Sequence, residues 1–84
     1  GDTPLHMVAQ TGHFNMFEYI FWNMTEKNPA NKKKTTPLHI AAENDHKSIV
    51  SFIIKNIDDK HPKNDFEETP KDVAANEDIR CLFN

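Results

Sequence analysis

Thr3-Pro4-Leu5-His6 returns as Thr36-Pro37-Leu38-His39, and Thr69-Pro70 opens the same pattern again, at a step of 33 residues each time. Laying residues 1–33 over residues 34–66 without gaps gives eleven identical pairs: Thr3/Thr36, Pro4/Pro37, Leu5/Leu38, His6/His39, Ala9/Ala42, His13/His46, Ile20/Ile53, Asn23/Asn56, Lys27/Lys60, Pro29/Pro62 and Asn31/Asn64. Many of the other pairs exchange one apolar residue for another: Met7/Ile40, Val8/Ala41, Met16/Ile49, Phe17/Val50, Tyr19/Phe52 and Phe21/Ile54. A fixed period of about 20–50 residues specifies a stack of like units, because one unit alone cannot bury its apolar face. The 84 residues divide as 33, 33 and 18.

Within one period the residues specify two helices and a connector. Thr3, Thr36 and Thr69 stand where a helix N-cap belongs, with Pro4, Pro37 and Pro70 at the first helical position. A threonine hydroxyl can accept a free N–H of the first turn, and proline has no N–H to leave unbonded there. Leu38, Ala41 and Ala42 then share one helix face, and the alanines are small enough for a neighbouring helix to approach closely. Gly12 suits the left-handed residue that ends such a helix. Met16, Phe17 and Ile20, matched by Ile49, Val50 and Ile53, carry helical spacing over roughly 15–23 and 48–56. Polar, proline-bearing connectors follow, residues 25–35 and 58–68.

With T-P-L-H at matched offsets and a Gly-His or Asp-His pair after the first helix, the chain resembles the ankyrin-repeat family over its whole length. The resemblance implies an all-α solenoid of stacked helix-turn-helix units joined by hairpin-like fingers. The units are 1–33, 34–66 and a shortened C-terminal capping repeat at 67–84. In the last, Thr69–Ala75 copies the first helix, while Ile79 falls three residues earlier than Ile49 does in unit two. Units one and two each balance their charge, and residues 67–84 carry five acids against two bases, as suits an outer face that meets water. The opposite end holds Phe14, Phe17, Tyr19, Phe21, Trp22 and three methionines with no polar cap before them. The expectation is that further repeats precede Gly1, or that this surface packs on another molecule, including a second copy of the chain. Asp45 stands in the place of Gly12, and Lys34 and Glu67 stand where the family usually has glycine. Left-handed backbone costs a non-glycine residue about 1–2 kcal/mol.

Composition narrows the function. A chain of 84 residues with one cysteine, Cys81, holds neither an internal disulfide nor a Cys-based zinc site. A net charge of −3 gives no pull toward nucleic acid or an anionic membrane, and neither is expected as a partner. The apolar stretch 14–24 is far shorter than the ~20 residues of a membrane span. No secretory leader opens the chain, and the family resemblance implies an intracellular protein, cytoplasmic or nuclear. Asn23-Met24-Thr25 matches a glycosylation acceptor, a triplet that arises easily by chance in an asparagine-rich chain. Two glycines cannot form a phosphate loop, no nucleophile elbow is present, and Cys81 lacks a positioned base, so no enzyme and no cofactor are expected.

The histidines admit two readings. His6/His13 and His39/His46 repeat a seven-residue spacing that could suggest metal, but each belongs to the repeating pattern. The resemblance implies that the first of each pair bonds the capping threonine and neighbouring backbone, tying units together; no metal is expected. The run Lys32-Lys33-Lys34 lies at a finger tip and reads as a solvated loop, a site for an acidic protein partner, or a nucleic-acid contact. Ankyrin arrays usually bind proteins through finger tips and the concave face of the first helices. Carried over position by position, that surface is Asp2, Gln10 and Thr11 in unit one, Lys32, Lys33, Thr35, Glu43 and Asn44 in unit two, and Lys63, Asp65, Phe66 and Glu68 in the last finger. The expected function is a protein-interaction module; the alternative is a structural end of a scaffold array whose binding lies in other repeats. Phe66 is either an exposed anchor or a plug folded onto the cap.

Overall fold

Thr3 and Thr36 take extended backbone, and each hydroxyl accepts the N–H of the histidine three residues on. The following prolines then start short helices. The computed structural model describes residues 3–24, 29–57 and 61–83. Its helices are α1 (Pro4–Thr11), α2 (Phe14–Asn23), α3 (Pro37–Glu43), α4 (Lys47–Asn56) and α5 (Glu77–Cys81), with no strand among the described residues. In sequence the order is helix-turn-helix, finger, helix-turn-helix, finger, then a turn and α5.

The helices make two layers. α1 packs on α3 in one layer, α2 touches α4 in the other, and each unit's own pair closes the gap between layers. Ala9, Ala41 and Ala42 have no exposed surface, so the first-helix layer is held close by side chains that add almost no bulk. Leu5 and Leu38 are equally enclosed. The second layer is aromatic. Phe52 of α4 inserts among Phe14, Phe17, Phe21 and Trp22 of unit one, with ring centroids 5.7, 6.1, 5.0 and 5.9 Å away. Burying one such ring contributes about 1.5–3 kcal/mol, so this wedge is a major part of the inter-unit attachment.

The histidines bond the units along their rims. His6 Nδ1 accepts the Thr3 N–H at 3.1 Å while Nε2 donates to the Thr35 carbonyl of the next unit at 2.7 Å. His39 repeats this with the Thr36 N–H at 3.2 Å and the Glu68 carbonyl at 2.8 Å. His46 adds a third tie, to the Gln10 carbonyl at 3.0 Å.

Gly12 ends α1 at φ 83°. A Cβ there would stand 2.5 Å from Cε1 of His46, so the glycine provides both the left-handed turn and the space for that tie. Lys34, Asp45 and Glu67 sit at φ 61°, 62° and 62°, and they are the non-glycine residues with positive φ among those described. All three positions singled out in the sequence for missing a glycine therefore do take the left-handed conformation.

The third unit departs from expectation. Residues 70–73 form a turn, so the stretch Thr69–Ala75 does not become a helix, and among the described residues α5 is the only helix after α4. The start is still capped: the Asp72 carboxylate accepts the Thr69 N–H at 3.0 Å and Thr69 Oγ1 accepts the Asp72 N–H at 3.2 Å. The Thr69 backbone N–H, and after it the Thr69 hydroxyl, hold the Asp72 carboxyl below its ordinary value. Propagation then fails, because the Ala75 N–H is donated across to the Ala42 carbonyl at 2.9 Å. With about three residues missing from the inner turn, the chain must reach α5 directly. Asn76 caps α5 by accepting the Ile79 N–H at 3.0 Å, and Ile79 and Phe83 close the core beneath it. Glu77, Asp78, Arg80 and Cys81 are exposed. Asp78 meets Lys47 of α4 at 3.0 Å and holds the amine above its ordinary value, an exposed contact of small stabilising effect.

Candidate finger-tip surface

Each finger tip is a turn built on one asparagine. Asn31 Oδ1 accepts the N–H groups of Lys33 at 2.9 Å and Thr35 at 3.0 Å. The Asn31 carbonyl accepts the Lys34 N–H at 2.9 Å, and the Asn31 N–H reaches the Thr35 carbonyl at 3.0 Å. Asn64 repeats every bond: its Oδ1 accepts from Phe66 at 2.8 Å and Glu68 at 3.0 Å, its carbonyl from Glu67 at 3.0 Å, and its N–H reaches the Glu68 carbonyl at 3.0 Å. Short asparagine side chains favour such local turns. The two tips are joined by a hydrogen bond from the Asp65 N–H to the Lys33 carbonyl at 2.8 Å.

This arrangement separates scaffold from surface. Thr35 and Glu68 are partly buried, and their carbonyls hold His6 and His39, so their backbones belong to the scaffold. Glu68 also bonds Asn64 Nδ2 through its carboxylate at 3.1 Å. Lys32, Lys33, Lys34 and Asp65 are exposed, and none of them makes an ion pair among the described residues. Lys63 pairs with Glu67 at 3.6 Å. Phe66 is 67% exposed: it is not folded onto the cap.

The other predicted positions, Asp2 apart, lie at the C-terminal ends of the first helices, the ends away from the fingers. Gln10, Thr11, Glu43 and Asn44 are exposed at the ends of α1 and α3. Thr11 bonds the Val8 carbonyl and Asn44 the Ile40 carbonyl, while Gln10 gives its carbonyl to His46. Asp2 lies outside the described residues. The sequence reading missed Asn31 and Asn64 as the residues that shape the tips, although their identity at the 33-residue step was the signal. Its position-by-position surface also omitted Glu67, and it gave Lys34 only as part of the lysine run; both side chains stand on the exposed tips.

Metal ligation has little to work with. Both ring nitrogens of His6 and His39 are already engaged, and no group of three or more metal-ligating side chains converges among the described residues. His61 is exposed, with its ring 6.2 Å from that of Phe83. Burial pushes the His39 imidazole below its ordinary value of 6.5, opposed by the Glu68 carbonyl and nearby carboxylates. No helix among the described residues is long and apolar enough to cross a membrane.

A second exposed surface lies on unit one. Met7, Met16 and Tyr19 are 62%, 55% and 71% exposed. One period later, Ile49 is buried, Ile40 is half-buried against the core, and Phe52 forms the aromatic wedge.

A family model of ankyrin repeats (three copies) matches residues 1–64. No curated protein matches the chain.

Proposed function

Since the chain belongs to the ankyrin-repeat family, whose repeats are generally protein–protein interaction modules, we propose that it binds a protein partner through its finger tips and the C-terminal ends of α1 and α3. The observation that supports this most is the division of labour at the tips. Backbone and asparagine bonds fix the turns, while the side chains of Lys32, Lys33, Asp65 and Phe66 are exposed and take no part in holding them. A preformed surface loses little entropy on binding, and an exposed aromatic is the commonest kind of interface anchor. Gln10, Thr11, Glu43 and Asn44 extend the surface along the helix ends, and Lys63, Thr35 and Glu68 border it. Asp2 joins by position in the repeat.

The reading is non-enzymatic, needs no cofactor, and places the protein inside the cell. Residues 1–33 and 34–66 serve as the two full units and 67–84 as the closing one. The alternative is a structural end of a scaffold array. Affinity capture with the wild type and with Phe66→Ala separates the two. The binding reading expects a retained partner that the variant loses at unchanged melting temperature; an identical set of captured proteins contradicts it.

The exposed face of unit one supports a second interaction. Its Met7, Met16 and Tyr19 hold the positions that unit two uses to pack on unit one, so the face takes either a further helical unit or a second copy of the chain. Sedimentation should show concentration-dependent association that Tyr19→Lys abolishes, whereas a monodisperse, highly stable monomer contradicts self-association.

A further inference from the structure

Resting on the tips as the binding surface, we propose that they take an acidic peptide segment bearing an apolar side chain, with Lys32, Lys33 and Lys34 meeting its carboxylates and Phe66 its apolar group. The charge count comes first. The tip lysines carry three positive charges and no ion pair among the described residues. Of the second tip's acids, Glu67 already faces Lys63 at 3.6 Å and Glu68 is bonded to Asn64 at 3.1 Å. Asp65 alone has no side-chain partner there among the described residues, so the unpaired charge of the joined tips is positive on a chain whose total is −3.

Position comes second. The bond between the Asp65 N–H and the Lys33 carbonyl sets the two turns edge to edge, so the exposed lysines and the exposed Phe66 are carried on adjoining turns. Lys34 is held at φ 61° and Asn31 closes its turn, so the lysine backbone is fixed before any partner arrives. An aromatic that is 67% exposed beside unpaired charge is suited to burial under a partner whose own charge is opposite. Nucleic acid fits less well: three lysines can neutralise few phosphates, and the carboxylates of Asp65 and Glu67 would meet the continuing backbone charge. A short acidic run can end where the lysines end.

The test is selection of random phage-displayed peptides on the intact chain, with counter-selection on its Lys33→Ala/Phe66→Ala variant. Recovered peptides should join aspartate or glutamate runs to an aromatic or aliphatic residue. For a synthetic peptide of that sequence, followed by fluorescence anisotropy, Phe66→Ala should weaken binding by about thirtyfold and each lysine substitution by a few-fold. Raising the salt from low to high should weaken it by about tenfold, with melting temperatures unchanged throughout. Basic or wholly apolar peptides that still require the tips would overturn the partner chemistry and leave the binding reading standing. Recovery of no tip-dependent peptide would overturn both. Tighter binding of an oligothymidylate than of any selected peptide would overturn the acidic-peptide assignment in favour of nucleic acid.

Discussion

At the residue scale, strain and support in this chain are set by single backbone angles and single protons. Asp45, Lys34 and Glu67 hold left-handed backbone that glycine would adopt without cost. Asp45→Gly should raise stability by about 1 kcal/mol in urea melts; an unchanged or lowered midpoint would contradict the strain. Gly12→Ala should go the other way by at least about 1–2 kcal/mol, since the new Cβ meets His46 as well. His39 gives a pH dependence of known sign. Its folded form resists protonation because it is buried, and Nδ1 is already an acceptor for Thr36 N–H. Its contribution is therefore full above pH 6.5 and lost as the pH falls below that value. The urea midpoint should drop between pH 7.5 and 5.5, with a weaker drop in His39→Gln; equal slopes would contradict the role of this proton. The left-handed positions were legible in the sequence because the repeat supplies its own reference: Gly12 shows what position 45 requires. The asparagine turns were signalled only by the repetition of Asn31 as Asn64, since nothing local distinguishes an asparagine that shapes a turn from one that is merely polar.

At the scale of elements, the periodic helices were legible because cap, proline and apolar spacing agree over each unit. The spacing predicts second helices at 15–23 and 48–56, and each begins one residue earlier in the structure. The third unit's first helix failed because its fate is decided outside its own residues. Thr69-Pro70 starts a turn as well as Thr36-Pro37 does, but the Ala75 N–H goes to Ala42 and the shortened chain runs on to α5. A sequence pattern reports how a helix starts better than whether tertiary bonds let it continue. The aromatic wedge gives the strongest test at this scale. Phe21, 1% exposed and 5.0 Å from Phe52, should cost about 3–5 kcal/mol when replaced by alanine. A chain of 84 residues is stable by about 4–13 kcal/mol at ~0.05–0.15 kcal/mol per residue, so Phe21→Ala should remove a large share of that and lower the melting temperature by more than about 10 °C. A loss below about 1 kcal/mol would mean that the wedge is not what joins the units.

At the scale of the molecule, stability and recognition occupy different places. Histidine ties, alanine contacts and the aromatic wedge hold unit to unit, and the fingers expose side chains that those attachments do not use. This is why fold and family could be read from the chain while the partner could not: the period constrains what packs and leaves tip residues free. Phe66 shows the limit, since only coordinates place an aromatic in solvent or on the cap. The exposed face of unit one is a second place where recognition could reside, so the two surfaces compete to explain binding. The most direct test is a hydrogen-exchange footprint of the chain with and without its captured partner. Protection gained at residues 31–35 and 63–68, with the rest unchanged apart from the ends of α1 and α3, is the predicted result. Protection confined to the Met7, Met16 and Tyr19 face, with the fingers exchanging as in the free chain, would contradict the finger-tip account.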